Sequence, residues 1–127
     1  MKKTVFTAKA PAPVGPYSQG VRTGNMLFIS GTLPIDPQTG ELEEGDIEKQ
    51  TKRVLENIRI ILESENLSME SVVKVNVFLT DMSLFSRVNR VYGDFFKVNP
   101  PARSAVGVKS LPKNSEIEME AIASYED

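Results

Sequence analysis

The 127-residue sequence contains neither cysteine nor histidine. Without cysteine there is no disulfide framework, no zinc–thiolate site and no thiol nucleophile. Without histidine no imidazole can act as general base, so a Ser-His-Asp triad is excluded. Walker A and GxGxxG phosphate loops are missing as well. No apolar run approaches the roughly 18 residues that a membrane span requires, so no membrane partner is expected. Charge of one sign is also scarce. Fifteen Lys and Arg stand against 17 Asp and Glu, interspersed, for a net charge of −2. That gives no basic stripe for a nucleic-acid backbone, and no nucleic-acid partner is expected. What remains for chemistry is carboxylates, Arg, Lys, Tyr, hydroxyls, amides, backbone groups and water. Neither a metal site nor a cofactor is expected.

The length suits one domain, residues 1–127, burying roughly two thirds of its unfolded surface. At the start, Lys2 and Lys3 precede Ala8-Lys9-Ala10, which mimics a signal-peptidase site. The intervening Thr4-Val5-Phe6-Thr7 is far short of the roughly 7–15 apolar residues of a signal peptide, so the reading is a cytoplasmic protein.

Ala10-Pro11-Ala12-Pro13-Val14-Gly15-Pro16-Tyr17 is extended and stiff, because each proline fixes its φ and biases the residue before it. Met26–Ser30 reads as a strand, and Pro34–Gly40 as turn chemistry. From Asp46, a plausible N-cap, Ile47, Thr51, Val54, Leu55, Ile58, Ile61 and Leu62 recur at helical spacing, and the helix should end near Asn66. Ser71–Leu79 alternates as a strand, with Val73, Val75, Val77 and Leu79 on one face and Val72, Lys74, Asn76 and Phe78 on the other. A second helix should start near Asp81 or Ser83, carry Phe85, Val88, Tyr92, Phe95 and Phe96 as its apolar stripe, and stop before Pro100-Pro101. Arg103–Val108 and Glu116–Ser124 read as the last strands. This order argues for an α+β domain with two helices on one sheet face. Met26, Phe28, Val72, Phe78 and Ile122 make the other face apolar as well, which predicts a homo-oligomer.

Five features invite chemistry. Arg103 shares a strand face with the small Ala105 and Gly107, leaving open space beside a fork suited to a planar anion; a surface arginine after a proline turn fits equally. Glu116, Glu118 and Glu120 share one face of the last strand, either solvated or, if covered, paired, protonated or functional. The short Leu111–Asn114 connection suggests a hairpin-like return that would set Arg103 across a cleft from a glutamate. Tyr17 sits in "GPYSQG", where it covers the core edge or reaches a ligand. Asn89 lies beside the second helix's stripe, and Gly31 serves a turn or admits a ligand to the backbone.

The stretches "GPYSQG", "SGTLPIDPQTGE", "VFLTDM", "VNRVYGDFF", "PPARSAV" and "LPKNSEIEMEAIA" together closely resemble the reactive intermediate deaminase (Rid or YjgF) family, collinearly from about Ala10 to Ala123. The resemblance implies a chorismate-mutase-like mixed sheet with two helices on one face, trimerised through the other, with ligand clefts between subunits. It implies hydrolysis of 2-imino acids such as 2-iminobutanoate and 2-iminopropanoate to 2-oxo acids and ammonia, without a cofactor. The alternative is a module that binds 2-oxo acids without turning them over; a ribonuclease label also attaches to the family. By resemblance the substrate-carboxylate arginine is Arg103, the water-positioning glutamate Glu118, the cleft tyrosine Tyr17 and the amide Asn89, with backbone contacts at Gly31 and Ala105. Thr32, Ala105 and Gly107 stand where the family often has Gln, Cys and Glu.

Overall fold

The computed structural model describes residues 1–125. Six strands form one mixed sheet. They are β1 (Lys2–Val5), β2 (Gly20–Thr23), β3 (Met26–Thr32), β4 (Val72–Leu79), β5 (Ala102–Gly107) and β6 (Ile117–Ser124), in the spatial order β1-β2-β3-β6-β4-β5. Helix α1 (Ile47–Ser64) and helix α2 (Phe85–Phe95) cover one face. Only β4 and β5 run parallel, joined through α2 as a parallel pair requires.

α1 forms where the periodicity places it. Asp46 caps it, its Oδ1 accepting the Lys49 N–H at 3.0 Å. At the other end Asn66 takes φ +60°, and the Leu67 N–H reaches the Leu62 carbonyl at 2.9 Å, closing a left-handed C-terminal cap. Leu55, Ile58 and Leu62 are wholly buried against Leu27, Val75, Val77, Met119 and Ala121. Burial of each such side chain contributes roughly 1.5–3 kcal/mol, so packing rather than helix propensity holds α1 in place. Arg87 of α2 clamps Glu48 of α1 bidentately, at 2.8 and 2.6 Å, and this holds the Glu48 carboxyl below its ordinary pKa.

Several expectations are corrected. β1 and β2 escape a periodicity search because each has only four residues, although Gly24-Asn25 between β2 and β3 is a two-residue hairpin turn. A register shift between Val72 and Lys74 turns Val72 into the core and leaves Val73 exposed, the reverse of simple alternation. β5 and β6 are not a hairpin, because β4 lies between them. Glu116 falls just before β6, and its carboxylate accepts from Gln50 Nε2 on α1 at 2.9 Å; only Glu118 and Glu120 share the strand face. α2 starts at Phe85, after a single turn at Met82–Leu84 capped by Asp81.

Among the described residues no helix or further strand covers the second sheet face. Phe28 and Val106 are 44% and 46% exposed there, beside the half-buried Phe78 and Ile122. Among the described residues no helix is long and apolar enough to cross a membrane.

Candidate active site

β5 pairs with β4 so that Arg103, Ala105 and Gly107 stand opposite Val75, Val77 and Leu79. Those three are buried under the helices, and paired residues share a face, so Arg103 lies on the helix side of the sheet. There it meets α2. Arg103 Nη1 donates to Asn89 Oδ1 at 2.7 Å, and the guanidinium carbon lies 4.7 Å from the Tyr92 ring centre and 5.2 Å from that of Phe85. Phe85, Asn89 and Tyr92 follow one another at four and three residues, one stripe of a helix. The arginine itself is exposed, while Tyr92 is buried and tilted against Phe96 at 4.7 Å. Burial pushes the Tyr92 hydroxyl up to about 12, against a smaller opposing pull from Arg103, so it stays protonated through the physiological range. Ala105 packs partly against the core. At Gly107 a Cβ would meet Met82 Cγ at 2.9 Å, so Met82 occupies the space a side chain would take.

Glu118 lies elsewhere. It stands opposite Phe78, on the uncovered face, with Glu120 opposite Asn76. Asn76 Nδ2 donates to Glu120 Oε2 at 2.8 Å. The Glu118 carboxylate rests over the backbone of Gly31. A Cβ there would collide with Glu118 Oε2 and come within 2.9 Å of its carboxyl carbon, so glycine is what admits it. Desolvation, and then the Glu120 charge, raise the Glu118 pKa above the ordinary carboxylate value. Gly31 also lines a narrow cleft of about 40 Å³ with Tyr17, Gln19, Ser30, Thr32 and Leu33. Gln19, buried, ties down the proline-rich segment that carries Tyr17. Its Oε1 accepts the Thr7 N–H at 2.7 Å, and its Nε2 donates to the carbonyls of Thr7 and Pro11 at 3.1 and 2.8 Å. The Tyr17 oxygen accepts the Val14 N–H at 3.2 Å, and its ring stays 46% exposed. Thr32 is buried, its hydroxyl donating to the Ser30 carbonyl at 2.9 Å.

The chain therefore gathers its candidate residues into two groups. Arg103, Asn89 and Ala105 form one; Glu118, Gly31 and Tyr17 belong to the other. In the sheet plane Arg103 and Glu118 are two strands and three residues apart, roughly 14 Å by ordinary strand dimensions, and they face opposite ways. The reading that set them across one cleft does not hold within a single protomer. Residue patterns also missed the contact of Phe85 and Tyr92 with Arg103. Their spacing with Asn89 was visible, but nothing in the sequence says which strand that stripe meets. No group of acidic residues able to hold a metal occurs among the described residues.

The model of the family described as endoribonuclease L-PSP matches residues 7–125. The chain belongs to that family, known also as RutC or Rid. A RutC family protein of Pyrococcus abyssi is 54% identical over 122 residues, 96% of each chain. A Thermotoga maritima crystal structure, provisionally described as an endoribonuclease, superposes with a TM-score of 0.96 at 57% identity, over the whole of both chains. TdcF of Escherichia coli, provisionally named a reactive intermediate deaminase, is 44% identical over 126 residues, 97% of each chain. Its crystal structure with bound serine superposes with a TM-score of 0.93, covering 98% of this chain and 99% of that one. The Rid fold expected from the motifs is thus the fold observed, a six-stranded mixed sheet with two helices.

Proposed function

We propose that this Rid family member hydrolyses 2-imino acids, 2-iminobutanoate and 2-iminopropanoate among them, to 2-oxo acids and ammonia, in clefts shared between copies of the chain. The observation that carries this reading is the Arg103 site. An exposed guanidinium, held by one N–H to Asn89 and resting on aromatic rings, keeps its remaining donors for a planar anion. A carboxylate bound bidentately there contributes on the order of 1.5–3 kcal/mol. TdcF with bound serine supports a small α-carboxylate as the ligand class.

The chemistry needs little more. The carbon of a protonated imine is already electrophilic. Water adds to it as Glu118 takes a proton, giving a tetrahedral carbinolamine. The nitrogen then gains a proton and leaves as ammonia while the C=O bond forms. General-base help of this kind is typically worth ~10²–10⁴-fold, and a raised Glu118 pKa improves the match to a base working near neutrality. Tyr17, Gly31 and the backbone at Ala105 complete the cleft walls.

Because Arg103 and Glu118 lie on opposite faces of one protomer, the reading requires Arg103 of one copy to meet Glu118 of another. The apolar uncovered face supports such self-association, and a trimer is the assembly proposed. The acidic balance of the chain counts against a polyanionic RNA substrate.

The test is imine hydrolysis. An amino-acid oxidase generates 2-iminopropanoate or 2-iminobutanoate in situ, and semicarbazide traps the imine that survives. Native protein should suppress the trapped adduct at substoichiometric concentration, and Arg103→Ala should not. If native protein binds 2-oxobutanoate saturably but leaves the adduct unchanged, the protein is a binding module and the deaminase reading fails.

A further inference from the structure

The Arg103 site raises a question that its role as carboxylate clamp leaves open. An exposed arginine carries much rotamer freedom, which ligand binding must normally remove at the expense of affinity. Here the side chain is placed already. Its guanidinium lies within 6 Å of two ring centres, Tyr92 at 4.7 Å and Phe85 at 5.2 Å, the range in which a cation is attracted to an aromatic face. Asn89 Oδ1 takes one N–H at 2.7 Å, on the same helical stripe and between the two rings in sequence. Tyr92 is itself fixed, buried and packed on Phe96, so it is a rigid support. Its hydroxyl has no hydrogen-bond partner among the described residues. The residue's contact with Arg103 therefore comes through the ring.

We propose that Phe85 and Tyr92 are positioning residues for Arg103, an aromatic rest that pre-orders the guanidinium so that its free N–H edge faces a substrate carboxylate before the substrate arrives. The proposal rests on the reading of Arg103 as a carboxylate clamp. It assigns a binding consequence to two residues that a helical pattern alone reads as core. It also separates them from Asn89, which acts by a hydrogen bond.

The experiment compares native protein, Arg103→Ala, Phe85→Leu, Tyr92→Leu and Tyr92→Phe. Calorimetry gives the affinity for 2-oxobutanoate, and NMR gives the chemical shift of the Arg103 Nε–H proton, assigned by its disappearance in Arg103→Ala. Removing either ring should weaken 2-oxobutanoate by roughly 2- to 30-fold, the fold-change matching the usual worth of such a contact. The Arg103 proton should lose the ring-current shift it has in native protein, a signature that a loss of packing elsewhere would not produce. Tyr92→Phe, which keeps the ring, should recover both readouts relative to Tyr92→Leu. Thermal melting confirms folding; if Tyr92→Leu does not fold, Phe85→Leu, at a half-buried position, decides alone. Leucine variants that bind 2-oxobutanoate like native protein, or that leave the Arg103 proton unmoved, overturn the proposal and leave the clamp intact. If Arg103→Ala binds as native protein does, the clamp itself falls, and the deaminase reading with it.

Discussion

A methyl group at position 31 would approach the Glu118 carboxyl carbon to 2.9 Å, closer than folded proteins tolerate. Gly31→Ala must therefore drive the carboxylate off β3. With Glu118 as the proposed general base, displacing it costs ~10²-fold or more, so the variant should lose at least that in kcat while its circular dichroism stays native; a fall below tenfold would show that Glu118 works from another position. Glu118 also makes a stability prediction. Burial and Glu120 raise its pKa in the folded protein, so between the unfolded and folded values the native state binds more protons than the unfolded one. Stability then falls as pH rises through that window, and the cost persists at neutral pH. Glu118→Gln removes it. The variant should be more stable than native protein in urea at pH 7, with the advantage shrinking as pH falls through that window and gone below the ordinary glutamate value. A pH-independent gap would mean that the charge is not what the site disfavours. In the proposed turnover the sign reverses, since a general base must be ionised, and the rate should climb through the same raised pKa.

At the scale of elements, the connection that shapes the Tyr17 cleft depends on one buried amide. Asn57 of α1 is fully buried, and its Nδ2 donates to the carbonyls of Leu33 and Ile35 at 3.2 and 2.8 Å. Both residues line the cleft with Gly31 and Tyr17. Asn57→Leu fills the volume but leaves the Ile35 carbonyl unpaired, while the Leu33 carbonyl keeps the Ile35 N–H at 2.8 Å, so the protein should lose roughly 1–3 kcal/mol in equilibrium unfolding. A loss below about 1 kcal/mol would mean the strand-to-helix connection stands without it. Asn57 illustrates what a sequence hides. The α1 stripe was legible because seven positions repeat at helical spacing, yet a polar residue inside that stripe carries no periodic signal. Likewise the alternation of β4 was legible, but not the bulge that turns Val72 inward, because nothing local announces it. The residue types of the site were legible from their motifs. Their facing was not, because it depends on β5 joining β4 in parallel rather than β6 as a hairpin, a choice made by the whole sheet.

At the scale of the molecule, the separation of Arg103 from Glu118 turns the proposed shared cleft into a counting problem. Suppose each cleft takes Arg103 from one copy and Glu118 from the next around a ring. Arg103→Ala subunits and Glu118→Ala subunits are then each inactive alone, because every cleft lacks one group. Unfolded together at equal amounts and refolded, they assemble at random. A cleft is complete when its arginine comes from a Glu118→Ala copy and its glutamate from an Arg103→Ala copy. In a ring that closes this way the chance is about one in four, so mixed protein should recover about a quarter of native activity. If instead both groups of a working site came from one chain, mixing could restore nothing, since no subunit would carry both. The uncovered face supplies the control. Phe28 and Val106 are exposed in the lone protomer, and Phe28→Lys with Val106→Glu should hold the chain as a folded monomer in sedimentation, its charges costing little while that face is wet. Such a monomer keeps Arg103 beside Asn89 and Glu118 over Gly31, yet should hydrolyse no imine, because its two half-sites never meet. An active monomer would place the whole reaction on one chain and remove the shared cleft.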